Sequence, residues 1–162
     1  MIRFINDPSE CHKISREILQ ALPDWFEVEQ SREQYIRESA DQPFFAAYED
    51  KTSDKAIGFL CLKETGSETV ELAVMGVLKD HHREGIGRRL FAAAKDYASQ
   101  HGYSFIQVKT VRSGMYEDYD RTNMFYRSLG FKELEVFEEY WDKDNPCQIY
   151  VMSLKSAINT IN

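Results

Sequence analysis

The chain contains no uninterrupted apolar run near the roughly 20 residues that a helix needs to cross a bilayer, so it offers no candidate transmembrane helix. Its three cysteines, Cys11, Cys61 and Cys147, are widely spaced, odd in number and lack a CxxC pair. That pattern argues against a disulfide framework. The opening MIRFINDPSE lacks the basic-then-apolar order of a secretory signal, and a reducing cytoplasm is the expected setting. Positive charge is scarce: 20 Lys and Arg face 27 Asp and Glu, a formal net charge of -7. Such a chain has no global attraction to nucleic acid or to an anionic membrane, so neither is an expected partner and any anion requires a local basic site. No repeat, low-complexity segment or domain linker interrupts the sequence.

What is present suits a packed α/β domain. Hydrophobic residues make up 43% and charged residues 29% of 162 positions, a globular mixture in a chain long enough for one real core. IRFI at 2–5 reads as a first strand, and NDPSE supplies capping chemistry before the helical spacing of Ile14, Ile18, Leu19 and Leu22. Pro23 stops or kinks that helix. A second helix is expected from about Ser31, whose hydroxyl is a candidate N-cap. PFFAAYED and KAIGFLCLKE read as strands around a charged turn, and TVELAVMGVL as another strand. Ile86, Leu90, Ala93 or Ala94, and Tyr97 then recur at helical spacing until His101 and Gly102. FIQVKTV is a strand, TNMFYRSLG a short helix with Thr122 and Asn123 as candidate caps and Gly130 as C-cap. FKELEVFEEYW and CQIYVMSL are final strands joined by DKDNP. The expectation is a domain over residues 1–155 with mixed strand contacts and a tail at 156–162.

HHREGIGRRL, residues 81–90, breaks a local rule, because arginines near a helix start oppose the helix dipole by roughly 0.3–1 kcal/mol per charge. A bound anion removes the conflict: Gly85 and Gly87 allow a close backbone turn, N–H groups at the helix start donate to phosphate oxygens, and Arg88 and Arg89 add charge. The competing reading is a tight strand-to-helix turn with both arginines extended into solvent. Neither the P-loop nor the three-glycine dinucleotide pattern is present. His81 and His82 are adjacent and have no accompanying ligand cluster, so no metal is expected. His82 is instead a candidate to line the phosphate turn.

The arrangement of VELAVMGVLKDHHREGIGRRLFAAA, FIQVKTV and FYRSLGF over nearly the whole chain resembles the GCN5-related N-acetyltransferase (GNAT) superfamily. The family signature of Gln or Arg, two residues, Gly, one residue, and Gly or Ala falls on His82, Arg83, Glu84, Gly85, Ile86 and Gly87, with His82 departing from it. The resemblance implies a GNAT fold: a mostly antiparallel central sheet, one parallel splayed strand pair at the cofactor cleft, and flanking helices. It implies acetyl-CoA as cofactor, with its pyrophosphate on residues 83–87, Arg88 and Arg89 nearby, and its pantetheine arm on the backbone of Val74, Met75 and Val77. It also implies acetyl transfer to an amine, with Tyr126 as general acid and Glu71 as general base. A core aromatic and a solvent-facing glutamate are the plain alternatives. Gly76 suggests a bulge or a close approach to pantetheine. Tyr119 stands where the family often has an Asn.

For the acceptor, Trp25 and Phe26 beside Pro23, and Tyr116, Tyr119 and Asp120 in the acidic stretch YEDYD, can pack and attract a small cationic amine. Simple packing and a solvated loop explain the same residues. A peptide or protein amine is the other substrate class, and a non-catalytic CoA-binding regulator is the other function. Nothing in the sequence sets the oligomeric state, and a homodimer stays open.

Overall fold

Asp7 starts the first helix, α1 (Pro8–Gln20), by accepting hydrogen bonds from the Ser9 and Glu10 amides at 2.8 and 3.2 Å. This is N-capping with proline at the first helical position. Before it runs β1 (Ile2–Ile5), and after it come α2 (Glu29–Ser39), β2 (Phe44–Tyr48), β3 (Ala56–Gly66) and β4 (Thr69–Val77). A 3₁₀ turn at Lys79–His81 leads to α3 (Ile86–Gln100), β5 (Phe105–Val111), α4 (Glu117–Leu129), β6 (Lys132–Asp142) and β7 (Asn145–Ser153). The computed structural model describes residues 1–154; the tail expected at 156–162 lies outside them.

Two helix starts differ from expectation. α2 begins at Glu29, with Val28 at the cap and no side-chain hydrogen bond, so Ser31 lies inside the first turn. The Glu29 carboxylate favours that start through the helix dipole, and Arg32 fixes the preceding loop by donating from Nη1 to the Phe26 carbonyl. α4 begins five residues before Thr122, after Tyr116, because Glu117, Asp118 and Asp120 put three carboxylates in its first turn. Thr122 and Asn123 are therefore mid-helix. Thr122 bonds back to the Asp118 carbonyl.

The seven strands form one sheet in the order β1-β2-β3-β4-β5-β7-β6, antiparallel except for β4 beside β5. That is the mixed, mostly antiparallel sheet with one parallel pair that the sequence implied. Buried apolar residues cover both faces. α3 packs Ile86, Leu90, Phe91 and Ala94 on one side against Val70, Leu72, Ile106 and Val108. α1 and α2 pack Ile14, Ile18, Leu19 and Ile36 on the other against Phe44, Phe59, Cys61 and Val74. Each of these Val, Leu, Ile and Phe side chains stabilises the fold by about 1.5–3 kcal/mol relative to exposure.

Two irregularities in β4 shape the centre of the sheet. Cys61 of β3 faces Val74 while Leu62 faces Leu72, so Ala73 is an extra residue, a β-bulge. The bulge reverses the alternation: Val70 and Leu72 face the α3 side, whereas Val74 and Gly76 face α1. The second irregularity is the brevity of the parallel pairing, which runs only from Thr69↔Phe105 to Glu71↔Gln107. Beyond that rung the two strands part.

Candidate active site

The parting of β4 and β5 leaves residues 72–77 of β4 with no strand partner toward β5. Their backbone groups on that side are suited to an extended ligand arm, because unpaired strand groups seek hydrogen bonds. Val74 is buried toward α1, and Met75 turns to the other face. The Val77 carbonyl is taken by His82, whose Nε2 lies 2.8 Å away and must carry the hydrogen. Gly76 is explained by packing: a Cβ there would stand 2.8 Å from Ile18 Cγ2 and 3.1 Å from Leu22 Cδ1, so the glycine admits α1. The bulge that Gly76 suggested lies three residues earlier. It also means that Glu71 and Met75 face opposite sides, against simple strand alternation.

At the open end of the splay, α3 starts at Gly85 in the left-handed region, φ 75°, and no side chain caps it. Arg83 is also left-handed at φ 65°, a conformation that costs a non-glycine residue roughly 1–2 kcal/mol. The first intrahelical bond from the turn is Arg89 N–H to the Gly85 carbonyl, so the Ile86, Gly87 and Arg88 amides precede it and point outward along the axis. A strained turn followed by uncapped amides is chemistry for a phosphate group. Gly87 also serves packing, since a Cβ would lie 3.1 Å from the Phe125 ring. Arg88 reaches across to α4, donating to Ser128 Oγ at 3.1 Å. Glu84 meets His81 at 3.1 Å, and His81 also contacts Glu49. Among the described residues no group of three or more His, Cys, Asp or Glu is arranged to hold a metal.

Tyr126 lies on α4 with its ring packed near Phe125, Phe131 and Tyr150. Only 7% of it is exposed. Burial pushes its phenol well above the usual range, and the nearby phenols of Tyr119 and Tyr35 add to that shift. It therefore stays protonated at neutral pH. One turn earlier, Asn123 is fully buried and ties the helix down: Nδ2 donates to the Val111 and Tyr119 carbonyls, and Oδ1 accepts from Tyr150.

Glu71 sits on the last paired rung of the splay, 16% exposed, and is in contact with the Lys109 ammonium. Cross-strand pairing also places Lys63 opposite it. Lys109, on β5 two residues beyond that rung, extends back across the opening, with its Nζ 5.9 Å from the Tyr140 ring. Sequence reasoning did not single out Lys109, Tyr35 or Tyr140. A signal existed for the first: strand alternation in FIQVKTV puts Gln107 and Lys109 on the face opposite Ile106 and Val108.

The acceptor-side residues converge in part. The Tyr119 hydroxyl donates to the Trp25 carbonyl at 3.3 Å. Trp25 lies edge-on to His82 at 5.9 Å, and Phe26 edge-on to Tyr35 at 6.0 Å. The loop between α1 and α2 thus meets both α4 and the turn before α3. Tyr116 lies beside Tyr119 but is 46% exposed. Asp120 accepts from the Gly114 amide at 2.6 Å, closing the loop before α4.

The comparisons with known proteins agree with this fold. A family model described as an acetyltransferase (GNAT) domain matches residues 40–133. Among solved structures, a GNAT-family protein from Desulfovibrio desulfuricans has a TM-score of 0.75 at 20% identity, over 96% of this chain and 99% of that one. An aminoglycoside 6'-N-acetyltransferase complexed with coenzyme A has a TM-score of 0.74 at 20% identity, over 96% and 98%. The ribosomal-protein-S18-alanine N-acetyltransferase from Escherichia coli has a TM-score of 0.73 at 18% identity, over 100% and 99%. No curated protein sequence gives a significant match. With more than half of its length matched by the family model, the chain belongs to the GNAT acetyltransferase family.

Proposed function

We propose that the protein transfers an acetyl group directly from acetyl-CoA to the primary amine of a small cationic molecule. One observation carries this reading: an open strand edge beyond Glu71 and an uncapped helix start lie at a single splay, and Phe125, the neighbour of Tyr126 on α4, packs against that helix start at Gly87. The residues fit the cofactor. The amides at the start of α3, with Arg83, Arg88 and Arg89 around them, hold its pyrophosphate, and the free edge of β4 holds its arm.

Acetyl-CoA supplies an electrophilic thioester when bound. Glu71 accepts a proton from the acceptor ammonium, directly or through water, which frees the nitrogen lone pair. Tyr126, kept protonated by its burial, delivers a proton to the departing sulfur. Trp25, Phe26 and Tyr119 provide aromatic faces for the acceptor body, with Tyr116 at the rim, and the acidic start of α4 attracts its charge. A peptide or protein amine is the second reading. It is supported by the similarity to a ribosomal-protein N-acetyltransferase, which comes close to that to an aminoglycoside enzyme. A catalytically silent CoA-binding regulator is the third. Activity is expected in the cytoplasm, and no described helix is long and apolar enough to cross a membrane.

The test is purified protein with acetyl-CoA and a panel of small amines and peptides, with mass spectrometry for acetylated product and free CoA. Turnover on small cationic amines supports the proposal. Turnover on peptides alone moves the assignment to the second reading, and CoA binding without any product moves it to the third.

A further inference from the structure

The cleft already contains an amine. Lys109 Nζ touches the carboxylate of Glu71, and the pair spans the place where β4 and β5 part. Three lysines form described ion pairs. Lys63 and Lys79 have side chains 49% and 50% exposed, whereas that of Lys109 is 15% exposed. The Tyr140 ring stands over it, and Glu71, its partner, is 16% exposed. Holding a charged pair out of water has a cost, and a surface lysine avoids it. The feature therefore calls for a use beyond stability.

We infer that Lys109 is itself an acetyl acceptor: in the absence of an external amine the protein acetylates this lysine in cis. The inference rests on the proposed acetyl transfer and goes beyond it. Glu71 takes one proton from the Lys109 ammonium. The neutral Nζ then bonds to the carbonyl carbon of the acetyl-CoA thioester, and the carbon–sulfur bond breaks. The nitrogen loses its second proton, the CoA thiolate gains one from Tyr126, and the proton left over is released to solvent. The products are Nε-acetyl-lysine, CoA thiol and one proton, with no oxidant or reductant required. Two features favour Lys109 over the other amines of the described residues. It is held in place, so its attack is intramolecular and has a high effective concentration. It also already contacts the group that removes its proton. Acetylation cancels the positive charge and ends the ion pair, so the modified chain presents Glu71 without its internal cation.

The experiment incubates the protein with acetyl-CoA and no added amine, followed by intact-mass and peptide mass spectrometry. The expected result is about one acetyl group per chain, on Lys109, at a rate independent of protein concentration and at least about tenfold faster than on Lys79. K109R removes the modification, and E71Q slows it. Reductive methylation with formaldehyde gives a readout that needs no transfer: saturating CoA is expected to shield Lys109 more than Lys79. Lys109 left unmodified while an external amine is acetylated overturns this inference and leaves the proposed function standing. Labelling of Lys109 no faster than in the urea-unfolded chain, or CoA binding that leaves its methylation unchanged, also overturns it. Absence of both CoA binding and transfer removes the inference and the proposed function together.

Discussion

The role proposed for Tyr126 sets two demands against each other, burial and chemistry. Its ring is enclosed by Phe125, Phe131 and Tyr150, so Tyr126→Phe keeps the packing and removes only the hydroxyl. Transfer at saturating acetyl-CoA is expected to fall by about 10²-fold or more, and an unchanged rate under chemistry-limited conditions removes the acid assignment. The substitution also has a thermodynamic signature. The folded phenol titrates above its unfolded value, so the unfolded chain ionises first. The contribution of Tyr126 is then fully present below about pH 10 and is lost as the pH rises further. Denaturant titrations above that pH are expected to show a smaller alkaline loss in Tyr126→Phe than in the parent. The thiols behave in the same sense. Burial pushes Cys11 and Cys147 up to about 11, and Cys61 is also raised by burial. All three are expected to react with an aromatic disulfide reagent only on unfolding, and fast labelling of the native chain contradicts their burial.

The helices and strands show which parts of the sequence carried their own structure. β1 to β5, α1 and α3 follow from periodicity and capping, because Asp7, Ile86, Leu90 and Ala94 act locally. The start of α4 did not, since the tyrosine-rich stretch before it looks polar and turn-like while its carboxylates act as dipole partners. The face of Met75 was also illegible, because the bulge at Ala73 depends on the register with β3. That Glu71 lies on a strand, Tyr126 on a helix and residues 82–87 in a turn before a helix was legible through periodicity and order. Lys109 was not, because its meaning comes from a non-local neighbour. Helix attachment is testable at two positions. Gly76→Ala forces a Cβ against Ile18 and Leu22 and is expected to destabilise by about 1–3 kcal/mol. Asn123→Ala strands the Tyr150 hydroxyl and removes a donor shared by the Val111 and Tyr119 carbonyls, and is expected to cost about 1–3 kcal/mol. Tyr150→Phe in the Asn123→Ala background recovers part of the loss, because it removes a stranded donor. Additive losses in that double-mutant cycle contradict the network.

At the scale of the whole molecule, the ligand and the fold share one surface. In the proposed function, coenzyme A would bind only where α3, α4, β4 and β5 are assembled, so it is expected to stabilise the folded state by mass action. At about 100 times its dissociation constant the gain is about 2.7 kcal/mol, read as a rise of several degrees in Tm. A flat response contradicts the cofactor site. The splay has a further consequence. Most sheets expose unpaired backbone at their outer edges, where charge, proline or short strands keep other chains away. Here an unpaired edge also opens in the middle of the sheet, beside the apolar Val74, Met75 and Val77. The splay is thus an interior template for strand addition, and a ligand bound along it, as proposed, would act as a removable gatekeeper. Aggregation on mild heating should fall with CoA occupancy more steeply than the stability gain alone accounts for.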